Sequence, residues 1–213
     1  MVKNPEEHSN RLANSSSPYL REAAAQPVNW YPWGKEAFEA AQEVDRPILL
    51  DIGAAWCHWC HVMDRESYND PEIAAIINQN FIPIKVDRDE RPEIDSRYQK
   101  AIQAISGQGG WPLTGFLTPD GDLFFGGTYF PPEQRYGRPG MKEILPQVAA
   151  YYREKQYEIK NNIAEIREFL KQSSNSLQSS TLNPAIRESL ETAILRSYDP
   201  GHGGFGQDRK SVV

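Results

Sequence analysis

The chain has 213 residues, of which 39% are hydrophobic and 11% aromatic, enough apolar material to bury the core of one sizeable domain. Lysine and arginine total 23 against 29 for aspartate and glutamate, and this net charge of -6 argues against a nucleic-acid partner, which usually meets a basic face. No apolar run approaches the roughly 18 residues of a membrane span, and the first residues lack the apolar core of a secretory signal. We therefore expect a cytoplasmic protein with no membrane partner.

An α/β pattern runs through the first two thirds of the chain. Residues 1–34 form an irregular segment, rich in Asn, Ser, Pro and aromatic residues, that we expect to pack on the domain formed by residues 35–171. The apolar run 48–52 predicts a central parallel strand that is buried on both faces. The alternating charges of residues 87–97 are typical of a solvated surface. The elements predicted by periodicity and turn signals are a helix over 35–44, strands over 48–52 and 81–86, helices over 57–66, 71–77 and 92–105, and a hairpin of strands over 113–117 and 123–125.

The last third of the chain is predicted to be helical. A single helix is expected over 141–170, and the polar residues of 172–182 are typical of a linker. A further helix is predicted over 184–198, before a glycine-rich turn. Because one helix cannot bury its own apolar face, residues 183–213 are interpreted as the truncated start of a second domain.

The string Cys57-His58-Trp59-Cys60-His61 follows the central strand and contains both cysteines of the chain. Three chemistries use such a string: a thioredoxin-like redox pair, a c-type haem attachment and half of a zinc site. Haem attachment calls for an export route and a small helical fold, and neither is indicated. Structural zinc needs two more ligands, and the remaining histidines, His8 and His202, lie at opposite ends of the chain. The string therefore favours a redox pair, with no metal.

The redox interpretation assigns a role to each residue of the string. Cys57, as the first helical residue, is expected to be an exposed nucleophile whose thiolate the helix N-terminus stabilises. Cys60, one turn later and more buried, is expected to be the resolving thiol. His58 and His61 could stabilise the thiolate and tune the pair, with His58 also facing the substrate.

Two further features support the redox interpretation, and two tryptophans are assigned to the substrate surface. Asp51 lies in the apolar strand six residues before Cys57, where burial should raise its pKa and let it relay a proton to the resolving thiol. Trp111-Pro112 follows a glycine-rich stretch and enters a strand, so we expect a cis proline that presents backbone to a substrate peptide. Trp56 and Trp59 are expected to form an apolar contact surface around the sulfur, with core packing as the alternative.

Longer segments make the chain resemble a known family. They read NRLANSSSPYL, PVNWYPWGKEAF, CHWCHVM, FIPIKVDRDERPEID, GQGGWPLTGFLTPDG and GGTYFPPE, and they span about residues 10–133. Together they resemble the N-terminal thioredoxin-like domain of the family that includes spermatogenesis-associated protein 20 and its bacterial and archaeal relatives.

The resemblance implies a thioredoxin-like fold, a mixed sheet flanked by helices, with a C-terminal helical extension. It places Cys57 and Cys60 at the redox position, Pro112 at the cis-proline position and Asp51 at the proton-relay position. Full-length relatives continue into a large α/α barrel resembling sugar epimerases and glycosidases, and residues 183–206 look like its first helix and turn. The resemblance thus adds the missing barrel domain as an expected partner.

The sequence therefore predicts a thiol–disulfide oxidoreductase. Its substrate would be a protein or a small-molecule thiol or disulfide, and its only cofactor would be the reversible Cys57–Cys60 disulfide. The alternative is a non-catalytic thioredoxin-like module that binds, or acts as a scaffold for, the C-terminal barrel.

Overall fold

The computed structural model describes residues 10–135, 137, 139–175, 184–198 and 200. The chain divides into two compact units, the first ending at Gln172 and the second beginning at Ser173. The first unit contains the sheet and both cysteines, and in the second the structure describes one complete helix, Pro184–Ser197. In these described ranges, no helix is both long and apolar enough to cross a membrane.

One mixed sheet forms the centre of the first unit. Its strands are, in chain order, β1 (Tyr31–Pro32), β2 (Ile48–Gly53), β3 (Ile82–Asp87), β4 (Leu113–Leu117) and β5 (Leu123–Gly127). They lie in the order β1-β3-β2-β4-β5. The central β2 is parallel to β3 and antiparallel to β4, and β4 forms an antiparallel hairpin with β5. With helices on both faces, this is the thioredoxin-like fold that the sequence predicts.

Helices surround the sheet. They are α1 (Pro18–Glu22), α2 (Lys35–Val44), α3 (His58–Met63), α4 (Pro71–Asn80), α5 (Pro92–Ser106), α6 (Met141–Glu154) and α7 (Gln156–Asn175), with α8 (Pro184–Ser197) in the second unit. A π-helical segment, Asp64–Tyr68, continues α3 directly. Helix α4 begins where the sequence predicts, because the Asp70 side chain accepts the N–H groups of Glu72 and Ile73 and Pro71 fits the first turn.

The alternation of side chains along β2 divides the core into two layers. Ile48, Leu50 and Ile52 pack on one face with residues of α2 and α5. Leu49 packs on the opposite face in a second cluster, which includes both cysteines and residues of α1, α4 and α6. Asp51 shares the face of Leu49, since successive strand residues point to opposite sides. The fold therefore directs the one charged residue of β2 toward the helix that holds the cysteines.

The N-terminal segment is more ordered than the sequence predicts. The sequence predicts irregular backbone up to residue 34, whereas the structure has a 3-10 turn over Arg11–Asn14, helix α1 and strand β1. The Asn10 side chain explains part of this order, because its amide donates to the backbone carbonyls of Ala23 and Val28. Tyr19 and Trp30 of this segment are almost completely buried in the cysteine-bearing cluster.

The C-terminal helices also differ from the sequence prediction. In place of one helix over 141–170, the backbone leaves the helical region at Lys155 (φ -121°, ψ 34°), between α6 and α7. Lys155 is neither glycine nor proline, and the apolar spacing continues across it, so the sequence carries no signal for the break. Helix α7 runs to Asn175, into the expected linker 172–182, whose later residues lie outside the described part of the chain. The glycine-rich turn after α8 lies outside it as well.

Candidate active site

The two cysteines lie at the N-terminal end of α3 and are joined by a disulfide bond. Their sulfurs are 2.09 Å apart and their Cα atoms 5.3 Å apart. Cys57 is the N-cap residue and not, as predicted, the first helical residue, because its backbone is extended (φ -82°, ψ 103°). Its Sγ accepts a hydrogen bond from the Cys60 N–H at 3.2 Å. Such a donor favours a thiolate at Cys57, because an anionic acceptor forms the stronger hydrogen bond.

Both sulfur-bearing side chains are buried in this disulfide form. The predicted exposure of Cys57 is wrong, since the residue is only 5% exposed, although Cys60 is more buried still at 2%. The physical reason is that both cysteines belong to the hydrophobic cluster on their face of the sheet, against which Trp111 also packs. Little of Cys57 is therefore accessible to an attacking sulfur in the disulfide form.

Tryptophan side chains form the surface next to the disulfide. Trp56 is 58% exposed and Trp59 is 54% exposed, so the alternative of core packing does not hold for either. Trp56 meets Trp111 edge to face with ring centroids 5.7 Å apart, and Trp59 lies 5.1 Å from the ring of Tyr129. An open cavity of about 760 Å³ adjoins these rings, and its lining includes His58, Trp59, Gly110, Trp111, Thr128 and Tyr129.

The Trp111–Pro112 peptide bond, which the sequence context predicts to be cis, is cis. Helix α5 holds the loop that precedes it. The Gln99 side chain donates to the Gly110 carbonyl at 3.0 Å and accepts from the Gly110 N–H at 3.1 Å. The Trp111 indole N–H donates to Asp95 Oδ1 at 2.8 Å. These contacts fix the loop, whose residues Gly110 and Trp111 line the cavity beside Trp59.

The charged stretch over residues 87–97 is not the fully solvated surface that the sequence predicts. Asp87 and Asp95 are both buried. Asp87 accepts a hydrogen bond from the Ser17 hydroxyl at 2.6 Å, and Asp95 faces the Arg88 guanidinium at 3.4 Å. The Arg88 guanidinium also lies over the Trp111 ring, 4.5 Å from its centroid. Asp87 and Asp95 are therefore buried partners of the residues around the site. The sequence did not single them out, because they alternate with charged residues that are solvated.

The two histidines of the motif have contacts of their own. His61 Nε2 lies 2.7 Å from the Ala55 carbonyl oxygen, and its Nδ1 lies 3.7 Å from a Glu22 carboxylate oxygen. His58 is exposed and meets the Trp59 ring edge to face. The tuning role predicted for His61 and the substrate contact predicted for His58 stay predictions. Within the described ranges, no group of three or more potential metal ligands occurs.

A buried cluster of charges lies on the cysteine side of the sheet. Lys85 of β3 pairs in register with Asp51 of β2, and both side chains are essentially inaccessible to solvent. Lys85 Nζ donates to Asp51 Oδ2 at 2.6 Å and to Asp64 Oδ1 at 2.9 Å. The rings of Tyr19, Trp30 and Tyr68 surround the ammonium group, with centroids 4.7, 5.2 and 5.3 Å away.

Burial and mutual attraction act in opposite directions on the two charged partners. Burial raises the pKa of Asp51, and the nearby Lys85 ammonium opposes this rise without cancelling it. Burial lowers the pKa of Lys85, but the carboxylates of Asp51 and Asp64 outweigh burial and raise that pKa above its usual value. Lys85 therefore stays charged, while Asp51 is a carboxyl group that binds a proton more readily than an exposed one.

Two tyrosine hydroxyl groups complete the environment of Asp51. Tyr19 donates to Asp51 Oδ2 and Tyr68 to Oδ1, both at 3.3 Å. Burial, followed by the negative charge of Asp51, raises the pKa of both tyrosines well above the usual value. Each hydroxyl group therefore keeps its proton at neutral pH and acts as a hydrogen-bond donor to the carboxylate.

Sequence reasoning identified Asp51 but missed its partners. Lys85 could have been identified in the same way as Asp51, because it too is a charged residue in the middle of an apolar strand. Asp64 carried no such signal, since it follows the cysteine helix among other polar residues. Tyr19 lies 32 positions before Asp51, and nothing in the sequence links the two.

Comparisons with known proteins agree with the family suggested by the motifs. Residues 9–171 match the family model Thioredox_DsbH, described as a protein of unknown function, DUF255. An uncharacterized protein of Caenorhabditis elegans is 40% identical over 95% of this chain and 28% of its own length. Spermatogenesis-associated protein 20 of Rattus norvegicus is 38% identical over 97% of this chain and 27% of its own length. A solved DsbH oxidoreductase matches 73% of this chain and 93% of its own, with 16% identity and a TM-score of 0.43.

Proposed function

Because the chain belongs to the Thioredox_DsbH family, DUF255, and carries a CxxC pair on a thioredoxin-like fold, we propose that it is a thiol–disulfide oxidoreductase. One observation carries the proposal. The Cys57–Cys60 disulfide lies at a helix N-terminus, with the buried Asp51 carboxyl group on the same face of the sheet. A nucleophile, a resolving thiol and a proton acceptor are the three groups that disulfide exchange requires.

Cys57 acts first in the reductive direction. Its thiolate attacks one sulfur of a substrate disulfide, forms a mixed disulfide and releases the other substrate sulfur as a thiolate. The Cys60 N–H that points at Cys57 Sγ supports this thiolate. Cys57 is also the less buried of the two cysteines, which favours it over Cys60 as the group that meets the substrate.

Cys60 completes the exchange. Once deprotonated, it attacks Cys57 Sγ, restores the Cys57–Cys60 disulfide and releases the second substrate thiolate. Asp51 is the proton acceptor, because burial raises its pKa toward the range in which a carboxylate serves as an effective general base. In the oxidative direction the same groups act in reverse order.

The substrate would lie across the aromatic surface next to Cys57. Trp111 and Pro112 would present backbone to it from one side, and Trp56, Trp59 and His58 would contact it from the other. The exposure of Trp56 and Trp59 supports this arrangement, as does the cavity beside Trp59 and Trp111. A groove with such a lining accepts the chain of a protein substrate or a small-molecule disulfide.

A redox titration tests the proposal. The protein is equilibrated in thiol/disulfide buffers, alkylated and weighed, and we expect one reversible two-electron couple in the range of roughly -120 to -270 mV that working oxidoreductases occupy. Cys57→Ser should abolish turnover of a disulfide substrate, whereas Cys60→Ser should trap the mixed disulfide. Absence of a reversible couple would overturn the proposal.

The same variants test the alternative of a binding or scaffold module. The chain spans just over a quarter of the length of the relatives described above, so a role in assembling a longer protein is a real competitor. A scaffold would be indifferent to both cysteine substitutions and would still bind a separately produced C-terminal barrel domain of the family. Turnover that depends on Cys57 would decide for the oxidoreductase.

A further inference from the structure

Glycine at position 53 marks a close approach beside the disulfide. A Cβ atom built there would overlap the Tyr19 hydroxyl oxygen and would lie 2.8 Å from Cys60 Sγ. The hydroxyl group and the sulfur therefore border the same point of the β2 backbone. Any larger residue would displace one of them, so the glycine is explained by this proximity and not by a turn.

The same hydroxyl group reaches the buried carboxylate. Tyr19 Oη donates to Asp51 Oδ2 at 3.3 Å, and Asp51 lies two residues before Gly53 on the same face of β2. Tyr19 is only 1% exposed and Cys60 2% exposed. A proton that leaves Cys60 thus has a hydroxyl group at hand on the route to Asp51, at a place that bulk water does not reach.

We propose that the Tyr19 hydroxyl group carries the proton from the Cys60 thiol to Asp51 when the mixed disulfide is resolved. The inference rests on the oxidoreductase function proposed above and adds to it a group from the N-terminal segment. A hydroxyl group suits this role because it accepts one proton while it donates another, so no phenolate need form.

The step is balanced in protons and electrons. Cys60 S–H passes its proton to Tyr19 Oη, and Tyr19 passes its own proton to the Asp51 carboxylate. The Cys60 thiolate attacks Cys57 Sγ, the Cys57–Cys60 bond forms, and the bond between Cys57 and the substrate sulfur breaks. The substrate leaves as a thiolate, reduced by two electrons, and the protein dithiol is oxidised. Asp51 ends protonated and later returns its proton to solvent.

Several other charged or titratable groups face Tyr19. The Lys85 ammonium lies 4.7 Å from the centroid of its ring, and the carboxylates of Asp64 and Asp87 are near enough to influence its pKa. The His61 ring meets it edge to face at 6.3 Å. Tyr68 donates to the other oxygen of Asp51. Tyr68 is therefore the matched control, because it is equally buried and makes the same 3.3 Å hydrogen bond to the same carboxylate.

The experiment compares Tyr19→Phe and Tyr68→Phe in the full chain. Reduced protein is mixed with a fluorescent disulfide peptide in a single turnover and quenched with acid, and the mixed disulfide is followed by mass from pH 5 to 9. General acid–base help commonly contributes about a hundredfold or more, so we expect Tyr19→Phe to slow resolution at least about tenfold and to change its pH profile. Formation of the mixed disulfide, in which the Cys57 thiolate attacks before Cys60 gives up its proton, should keep its rate and so reports that the site is intact in the variant.

The outcomes distinguish a failure of the Tyr19 relay from a failure of the oxidoreductase function. Resolution that Tyr19→Phe slows at least about fivefold more than Tyr68→Phe does supports the relay, since loss of a hydrogen bond to Asp51 is common to both variants. Normal resolution in Tyr19→Phe, or equal slowing in both variants, overturns the relay and leaves the oxidoreductase intact. An unmodified protein that neither forms a mixed disulfide nor reduces the peptide overturns both.

Discussion

Replacement of Lys85 by methionine should be among the most destabilising single substitutions in the sheet. The side chain stays unbranched and only one atom shorter but loses the charge that compensates Asp51 and, in part, Asp64. Breaking a buried pair by removing one partner typically costs about 3–5 kcal/mol, because the remaining charge has no compensation. Since a domain is stable by only about 5–15 kcal/mol, this loss would consume a large share of its stability.

The chain offers a matched control for this substitution. Lys35 pairs with Glu39 at 2.7 Å, close to the 2.6 Å between Lys85 and Asp51, but its side chain is 86% exposed. Lys35→Met should leave the free energy of unfolding almost unchanged, because an exposed pair is screened by water. The two ion pairs thus differ in burial but hardly in the distance between their charged atoms.

The assay is urea unfolding at several pH values. A carboxyl group whose pKa is raised in the folded protein lowers stability as pH rises above its unfolded pKa, about 4. Loss of Lys85 should raise the pKa of Asp51 further. The free energy of unfolding that Lys85→Met loses relative to the unmodified protein should therefore be largest near neutral pH and shrink as Asp51 becomes protonated. The second substitution Asp51→Asn should recover part of the loss. A loss of unfolding free energy below about 1 kcal/mol in Lys85→Met, or a loss that does not change with pH, would refute the role of Lys85 as the compensating charge.

Three further predictions concern the site itself. Gly53→Ala should lower the free energy of unfolding by about 1–3 kcal/mol, because its methyl group would overlap the Tyr19 hydroxyl and crowd Cys60; an unchanged urea midpoint would contradict this. Trp59→Ala should raise KM for a peptide disulfide while changing stability by no more than about 0.5 kcal/mol, since the ring is 54% exposed; an unchanged KM would remove it from the substrate surface. Asp51→Asn should slow resolution of the mixed disulfide about a hundredfold without affecting its formation, as quenched single-turnover samples would reveal; equal effects on both steps would argue against a proton relay.

The central strands and the cysteine helix could be predicted because their signals are local. The apolar run of β2 is buried on both faces, and its single charged residue, Asp51, stands out for that reason. The cysteine motif that follows β2 is used in only a few chemistries, namely a redox pair, haem attachment or a zinc site. The strands on either side of the motif favour the redox pair. Helix α2 was predicted with its observed bounds, since its apolar spacing ends just before Pro47.

The rest of the site could not be predicted because it depends on contacts between distant segments. Strand β1 has two residues and exists only because β3 offers it an edge. Asp95 reads as one charge among many, and only the fold reveals that it anchors the Trp111 indole. Exposure of Cys57 was inferred from its role, whereas the surrounding hydrophobic cluster determines how much of the residue remains accessible.

The N-terminal segment is best understood as part of the site and not as a covering of the domain. Trp30 packs over the Lys85 ammonium, and its indole N–H donates to Gln26, whose amide in turn donates to Asp64. A lysine that is buried with two carboxylates needs such a dry and fully hydrogen-bonded environment, because water would weaken each attraction within it. Tyr19 belongs to the same segment and reaches the same carboxylate. The residues that precede β2 therefore enclose the charged cluster around Asp51, and one of them, Tyr19, donates a hydrogen bond to its carboxylate.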